Sequence, residues 1–166
     1  MEQQKIKDAL ANQPQTFPSM IAEQLGVSEW AVVSQLSAEM MQEVSVAAFD
    51  DIMEEVTKWG EVTLLVCNDS IIAEIKGRIP PGSHGHGYFN FAHGASSIGG
   101  HIRVTNIGHI CFVNKPAFGM ESLSIKIFDK QGEGVFKIYL ARREDKTIVA
   151  EQKEAYGKLR ESLLTK

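Results

Sequence analysis

At Gly60 the hydrophobic period of the chain changes from about 3.6 residues to about 2, the difference between a helix stripe and a strand. The runs EVTLLVC, SIIAEIKGRI, GYFNFA, HIRV, GHICFV, SLSIKIF and GVFKIYLA follow, each rich in β-branched and aromatic residues. Short turn signals separate most of them: NDS, IPPGSHG, the Thr105-Asn106 pair and DKQGE. Parallel neighbours need a crossover of roughly a dozen residues or more, so links this short predict antiparallel pairing. The chain closes with a helical pattern over residues 145–164. The expected fold is α+β: N-terminal helices, a large antiparallel meander and a C-terminal helix.

Ahead of Gly60 the pattern is helical. IKDALANQ places Ile6, Ala9 and Leu10 on one face before Pro14 stops it. Ser19 is a candidate cap for SMIAEQLG, which Gly26 would end, and Ser28 a candidate cap for EWAVVSQL. Residues 47–59 give a further amphipathic helix with Phe49, Ile52, Met53 and Val56 inward. The chain therefore divides into a helical leader, 1–58, and a sheet with its closing helix, 59–166, within one domain, 1–166. A chain of this length buries roughly two thirds of its unfolded surface, enough for one sizeable core.

The segment IAEQLGVSEWAVVSQL has a helix-turn-helix pattern, and charge decides what to make of it. Residues 1–60 hold three Lys/Arg against ten Asp/Glu, a balance of −7, and residues 28–37 contain no basic side chain. Phosphate contacts dominate DNA affinity, so the sequence argues against a nucleic-acid partner and for a structural pair or a dimer-facing cap. Residues 61–166 carry fourteen basic and eleven acidic side chains, a balance of +3 that suits an anionic ligand. No run of 18 apolar residues and no apolar leader occur, and the two cysteines, Cys67 and Cys111, sit in strand-like runs. These features predict a soluble cytoplasmic protein without membrane insertion.

All five histidines fall between residues 84 and 109. His84-Gly85-His86 has the spacing of a metal-binding pair on a strand, but a zinc site needs further ligands and no companion motif supplies them. His84, His86 and His93 read equally as turn residues in a glycine-rich loop. His101 stands apart in GGHIRV, where two glycines allow a flat ligand to approach. If Thr105-Asn106 is a hairpin turn, His101 and Arg103 share a face with Ile110 and Phe112, and His109 lies opposite. Such a histidine, with arginine two residues on, suits an iron-ligating imidazole beside a carboxylate-bearing macrocycle, or a strand histidine bonded to backbone. Lys137 and Tyr139 alternate onto one face of GVFKIYLAR, with Lys115 and Arg142 at strand ends. They could clamp propionates or phosphates, or form a solvated sheet face. No nucleophile elbow, P-loop, dinucleotide fingerprint or zinc-protease helix is present.

WGEVTLLV (59–66), PPGSHGHGYFNF (80–91), GGHIR (99–103), FGMESLSIKIFDKQGEGVFKIYLAR (118–142) and LGVSEWAVVSQL together resemble the cytosolic haem-utilisation carriers of the HutX/ChuX type, over nearly the whole chain. The resemblance implies a homodimer of α+β subunits, each like one half of the larger two-repeat haem-handling proteins. It implies a cytoplasmic carrier or store in haem uptake and iron utilisation, holding b-type haem non-covalently as cargo. Transfer to or from other haem-uptake or haem-degrading proteins is implied as well. The family histidine proposed as haem ligand matches His101. A second implicated histidine is replaced here by Cys67, a possible thiolate ligand or inert packing. By looser analogy with the two-repeat relatives Lys115, Lys137, Tyr139 and Arg142 would contact the haem edge; Arg103, two residues after His101, would join them, and His86 is a secondary contact or turn residue. Two alternatives stay open: an enzyme that degrades or reduces haem through the haem's own chemistry, and a haem-responsive DNA-binding regulator.

Overall fold

The computed structural model describes residues 1–165. Three helices lead, α1 (Glu2–Asn12), α2 (Pro18–Leu25) and α3 (Glu29–Val33), followed by strand β1 (Met41–Val44) and helix α4 (Phe49–Val56). Strands β2 (Glu61–Cys67), β3 (Ile72–Arg78), β4 (Gly82–Gly85), β5 (Tyr88–Phe91), β6 (His101–Ile102), β7 (Ile107–Asn114), β8 (Leu123–Asp129) and β9 (Gly134–Tyr139) come next, and α5 (Ala150–Leu164) ends the chain. The pairings are antiparallel throughout, as the short turns predict.

The order departs from a simple meander. Six strands run β1-β7-β8-β9-β2-β3, so the β2–β3 hairpin docks beside the last strand, while β4-β5-β6 form a separate three-stranded sheet. Strand alternation sorts the large sheet into two covered faces. Val62 and Leu64 of β2, Ile110 and Phe112 of β7, Ile125 and Ile127 of β8 and Ile138 of β9 form the main core with α4, α5 and the inward residues Phe89, Phe91 and Ile102 of the small sheet. On the opposite face Cys111, Val113 and Phe128 pack against Val33, Trp30 and Leu36 of the leader. The leader also has a small core of its own, Ile6, Ile21, Ala22 and Val32.

Two side chains of α5 tie the layers together. Gln152 accepts from the Ala141 N–H and donates to the carbonyls of Trp59 and Glu61, spanning the start of β2 and the end of β9. Tyr156, 2% exposed, donates toward the carbonyls of Val113 and Ser124, which lie across from each other on β7 and β8.

Several local expectations are corrected. The leader is not wholly helical: Met41–Val44 adds an edge strand against β7. Ser19 does not cap α2; Phe17 occupies that position with Pro18 in the first turn, where a missing N–H costs nothing. Gly26 does end α2 in the left-handed conformation, φ 66°, and Ser28 does cap α3, accepting from the Ala31 N–H. Thr105-Asn106 lies in a 3-10 turn over 104–106 rather than a hairpin, and β6 pairs with β5 instead of β7. His101 and Arg103 therefore do not share a face with Ile110 and Phe112. The turn expected across IPPGSHG is shorter, because GSHG is strand β4 and His86-Gly87 makes the turn, with φ of 54° and 83°. Positive φ at both central residues is what a two-residue hairpin with matching twist requires. The closing helix starts at Ala150, because 142–148 form a turn closed by the Arg142–Ile148 bridge and the Asp145 side chain, which accepts from Thr147.

Gly108 sits where β7 breaks register against β8. A Cβ there would lie 2.5 Å from the Asp129 carbonyl oxygen and 2.8 Å from Lys130 Cα, both backbone atoms that cannot rotate away. Gly108→Ala is expected to lower unfolding free energy by about 1–3 kcal/mol, as overpacking does. A urea denaturation midpoint measured beside wild type reads this directly.

Candidate functional site

The small sheet presents one face to the core and one to solvent. Alternation with the register Phe89↔Ile102 and Asn90↔His101 sends Phe89, Phe91 and Ile102 inward, and Tyr88, Asn90 and His101 outward. Arg103 follows on the same outer side, its Nη2 donating to the Tyr88 hydroxyl at 2.6 Å and its guanidinium 5.1 Å from the ring centre. His101 meets the edge of the same ring at 6.0 Å.

The protonation pattern of His101 follows from its neighbour. Asn90 Nδ2 donates to the carbonyls of Gly85 at 3.0 Å and of Ser83 and Tyr88 at 3.3 Å, which fixes the orientation of the amide. Its Oδ1 therefore faces His101 Nδ1 at 2.6 Å and must accept from it. The proton of the neutral ring is then on Nδ1, and the lone pair of Nε2 points away from Asn90. An imidazole held in this way by a neighbouring acceptor leaves Nε2 available as a ligating nitrogen. His101 is exposed. Beside it Gly99 and Gly100 leave open space, a Cβ at either meeting nothing within 4 Å, and Gly100 takes a φ of 127°.

The other histidines are placed elsewhere. His84, on β4 rather than in a loop, holds Asp50 at 2.8 Å and 3.0 Å. His86 is the first residue of the hairpin turn and His93 is exposed beyond β5. His109 stacks on Trp30 with ring centres 4.0 Å apart and bonds to Glu43 at 2.8 Å, joining leader to sheet. Among the described residues no three His, Cys, Asp or Glu side chains gather as a metal site.

A second concavity lies across the large sheet. The outward residues of β2 and β3, Thr63, Leu65, Cys67, Ile72, Glu74 and Lys76, form one wall of a groove of about 410 Å³. Phe17, Phe118 and Met120 form the opposite rim, with Lys137, Tyr139 and Arg142 between. Cys67, Lys137, Tyr139 and Arg142 thus come together, but on the sheet face opposite the one that carries the small sheet with His101 and Arg103. Within one chain Cys67 and His101 thus belong to different faces.

The expectation of a basic clamp is corrected in part. Lys115 is buried and donates to the carbonyls of Pro14 at 2.8 Å and Thr16 at 2.7 Å, pinning the α1–α2 link to the end of β7. Burial, and then the nearby Lys126 charge, hold its pKa below the ordinary lysine value. Lys137 is no solvated residue either: its Nζ donates to Glu29 Oε2 at 2.6 Å, while Lys126 donates to Glu29 Oε1 at 3.1 Å. Arg142 donates to the carbonyls of Glu121 and Lys146. Cys111 is packing, its thiol pushed up to about 12 by burial.

Glu29 is the residue that sequence reasoning missed. It looks like one more acid on an acidic leader, yet it is 6% exposed between two lysines. Burial raises its pKa, and the pull and hydrogen bonds of Lys126 and Lys137 outweigh that, leaving it below the ordinary carboxylate value.

Comparison with known proteins fits this architecture. The model of the haem utilisation ChuX/HutX family matches residues 42–159. The chain belongs to that family. It is 37% identical over 150 residues to the intracellular heme transport protein HutX of Vibrio cholerae, covering 90% of this chain and 78% of that one. The structure of the heme binding protein ChuX superposes with a TM-score of 0.85 at 34% identity, over 96% of this chain and 99% of ChuX. The heme degrading enzyme ChuS of Escherichia coli O157:H7 shares the fold alone, at 14% identity and TM-score 0.75. There 92% of this chain covers 47% of ChuS, so the ChuX/HutX subunit corresponds to one half of a two-repeat protein. Among the described residues no helix is long and apolar enough to cross a membrane.

Proposed function

We propose that this chain is an intracellular haem carrier that takes up b-type haem as non-covalent cargo and gives it up again. The supporting observation is the His101–Asn90 pair, which leaves Nε2 as a free, oriented donor on an open glycine-flanked face. His101 supplies the axial nitrogen and Arg103 the cationic partner for a propionate, with Tyr88 holding the guanidinium in place. An exposed face suits a carrier, because ligation there is reversible and a receiving protein can reach the iron. Membership of a haem-utilisation family, with relatives named for heme transport and heme binding, supports the same reading. A homodimer is the working assembly, and other haem-uptake or haem-degrading proteins are the partners for transfer.

The direct test is a hemin titration of the apoprotein followed at the Soret band. A saturable shift at micromolar protein, with haem recovered intact on transfer to apomyoglobin, is the expected result. Absence of saturation, or loss of the chromophore with reductant in the presence of catalase, would overturn the carrier reading, the second outcome in favour of an enzyme.

A further inference from the structure

We propose that the His84–Asp50 pair is a positioning element for His101, resting on the carrier reading only for what His101 binds. The pair seats strand β4, the seated strand fixes the Asn90 amide, and the amide fixes which nitrogen of His101 carries the proton.

Little else presses β4 onto the body of the protein. It is an outer strand of the small sheet, four residues long and exposed or half-buried throughout, with β5 along one side. Between β4 and α4 lies a cavity of about 270 Å³, with Met53, Glu54 and Thr57 on the helix side and Pro81 and Gly82 on the strand side. His84 spans that gap. Its Nε2 faces both oxygens of Asp50, at 2.8 Å and 3.0 Å, and donates to them, since a carboxylate only accepts. Its ring meets Phe89 edge to face at 5.5 Å, and Phe89 is buried against Phe49. Gly82 permits the close seating, because a Cβ there would lie 2.4 Å from the Phe89 ring. Glu54, one turn beyond Asp50, is the other carboxylate on this cavity.

The outer face of the small sheet depends on that seating. Asn90 Nδ2 donates to the carbonyls of Ser83, Gly85 and Tyr88, and the first two belong to β4. With those carbonyls in place the amide cannot turn over, and Oδ1 stays opposite His101 Nδ1 at 2.6 Å. Once β4 drifts, the amide is free to flip and present Nδ2 to the ring. Nδ1 must then accept, the proton moves to Nε2, and the lone pair needed for ligation is lost. The size of the effect is set by the pair itself. Its side chains are 55% and 62% exposed, and pairs in water are worth at most about fivefold in an equilibrium.

Asp50→Ala and His84→Ala are each expected to weaken hemin binding by about two- to fivefold. The double variant is expected to be no weaker than either single one, since both remove the same bridge. His84→Gln, which can place an amide N–H where Nε2 stood, is expected to recover affinity. The apoprotein shows the cause without haem. Two-bond proton–nitrogen correlation spectra, taken at alkaline pH where imidazoles are neutral, should find the His101 proton on Nδ1 in wild type. In Asp50→Ala they should find part of it on Nε2. A bridge that only adds stability would shift the denaturation midpoint and leave this tautomer unchanged. An unchanged tautomer in Asp50→Ala, additive losses in the double variant, or His84→Gln no better than His84→Ala would each overturn the proposal. Hemin affinity unmoved by His101→Ala, with the tautomer still following Asp50, would instead remove His101 as the ligand and leave the seating of β4 intact.

Discussion

Glu29→Gln is expected to cost about 3 kcal/mol or more of unfolding free energy, the range seen when one partner of a buried ion set is removed. The carboxylate sits between Lys126 and Lys137 with every charge buried. An amide keeps the size of the side chain, but it halves the acceptor capacity and turns an N–H donor toward an ammonium. The cost therefore measures lost charge rather than lost volume. Chemical denaturation at neutral pH checks the figure. Glu29→Leu combined with Lys126→Met and Lys137→Met should recover most of the loss, because an apolar set of similar volume has no desolvation to offset. Recovery absent, or Glu29→Gln as stable as wild type, would show that the ion set does not hold the leader down.

Acid should act through the same residue. Its pKa lies below the ordinary 4.5 in the folded chain, so folding favours the ionised form. The stability it contributes is complete above that ordinary value and is shed as the pH falls through the folded one. Docking of helix α3 is therefore expected to fail before the main core does, since Glu29 stands in it beside the Trp30–His109 stack and the small cluster of Val33, Leu36 and Phe128. Trp30 fluorescence, followed against far-UV circular dichroism during acid titration, separates the two events.

Much of this architecture is written in local pattern, and the reasons for the exceptions are physical. The switch of period at Gly60 reports strands because alternation is a property of each strand alone. Strand order is not local, and nothing in EVTLLVC states that β2 will lie beside β9. Thr105-Asn106 looks like a hairpin turn because its flanks are strand-like, yet His101–Ile102 pairs backward with β5 through Phe89 and Asn90. The alternation of Lys137 and Tyr139 was legible, while their environment was not. A lysine face on an amphipathic strand reads as solvated until a distant acid arrives, and Glu29 lies 108 residues from Lys137. His101 stood out from its glycines and its arginine. The residue that prepares it, Asn90, carried no signal, since an Asn in GYFNFA is unremarkable until the register places it opposite His101. Lys115 differs for the converse reason: a lysine after a strand suggests a surface anchor, but two carbonyls of the leader accept from it.

The His101–Asn90 pair gives the other large expected effect, and it distinguishes ligation from mere proximity. His101→Ala is expected to abolish the ligated Soret band and to weaken hemin binding by about 10- to 100-fold or more, since removing even an outer partner of a metal ligand has effects on that scale. His101→Gly should do the same and should regain the band when free imidazole is added, because Gly99 and Gly100 leave the space beside it open. Asn90 tests the tautomer. Asn90→Asp keeps an oxygen for Nδ1, but its second oxygen would meet the Ser83, Gly85 and Tyr88 carbonyls to which Nδ2 now donates, so the side chain loses its anchor and binding is expected to weaken. Asn90→Leu removes the acceptor, frees the ring to rotate or to carry its proton on Nε2, and should weaken binding without removing the ligand itself. The series His101→Ala, Asn90→Leu, wild type is thus expected to rise in affinity, with Asn90→Asp below wild type, read from one set of Soret titrations. A Soret band that survives His101→Ala but disappears in Cys67→Ser would move the iron to the groove face and end the assignment to His101.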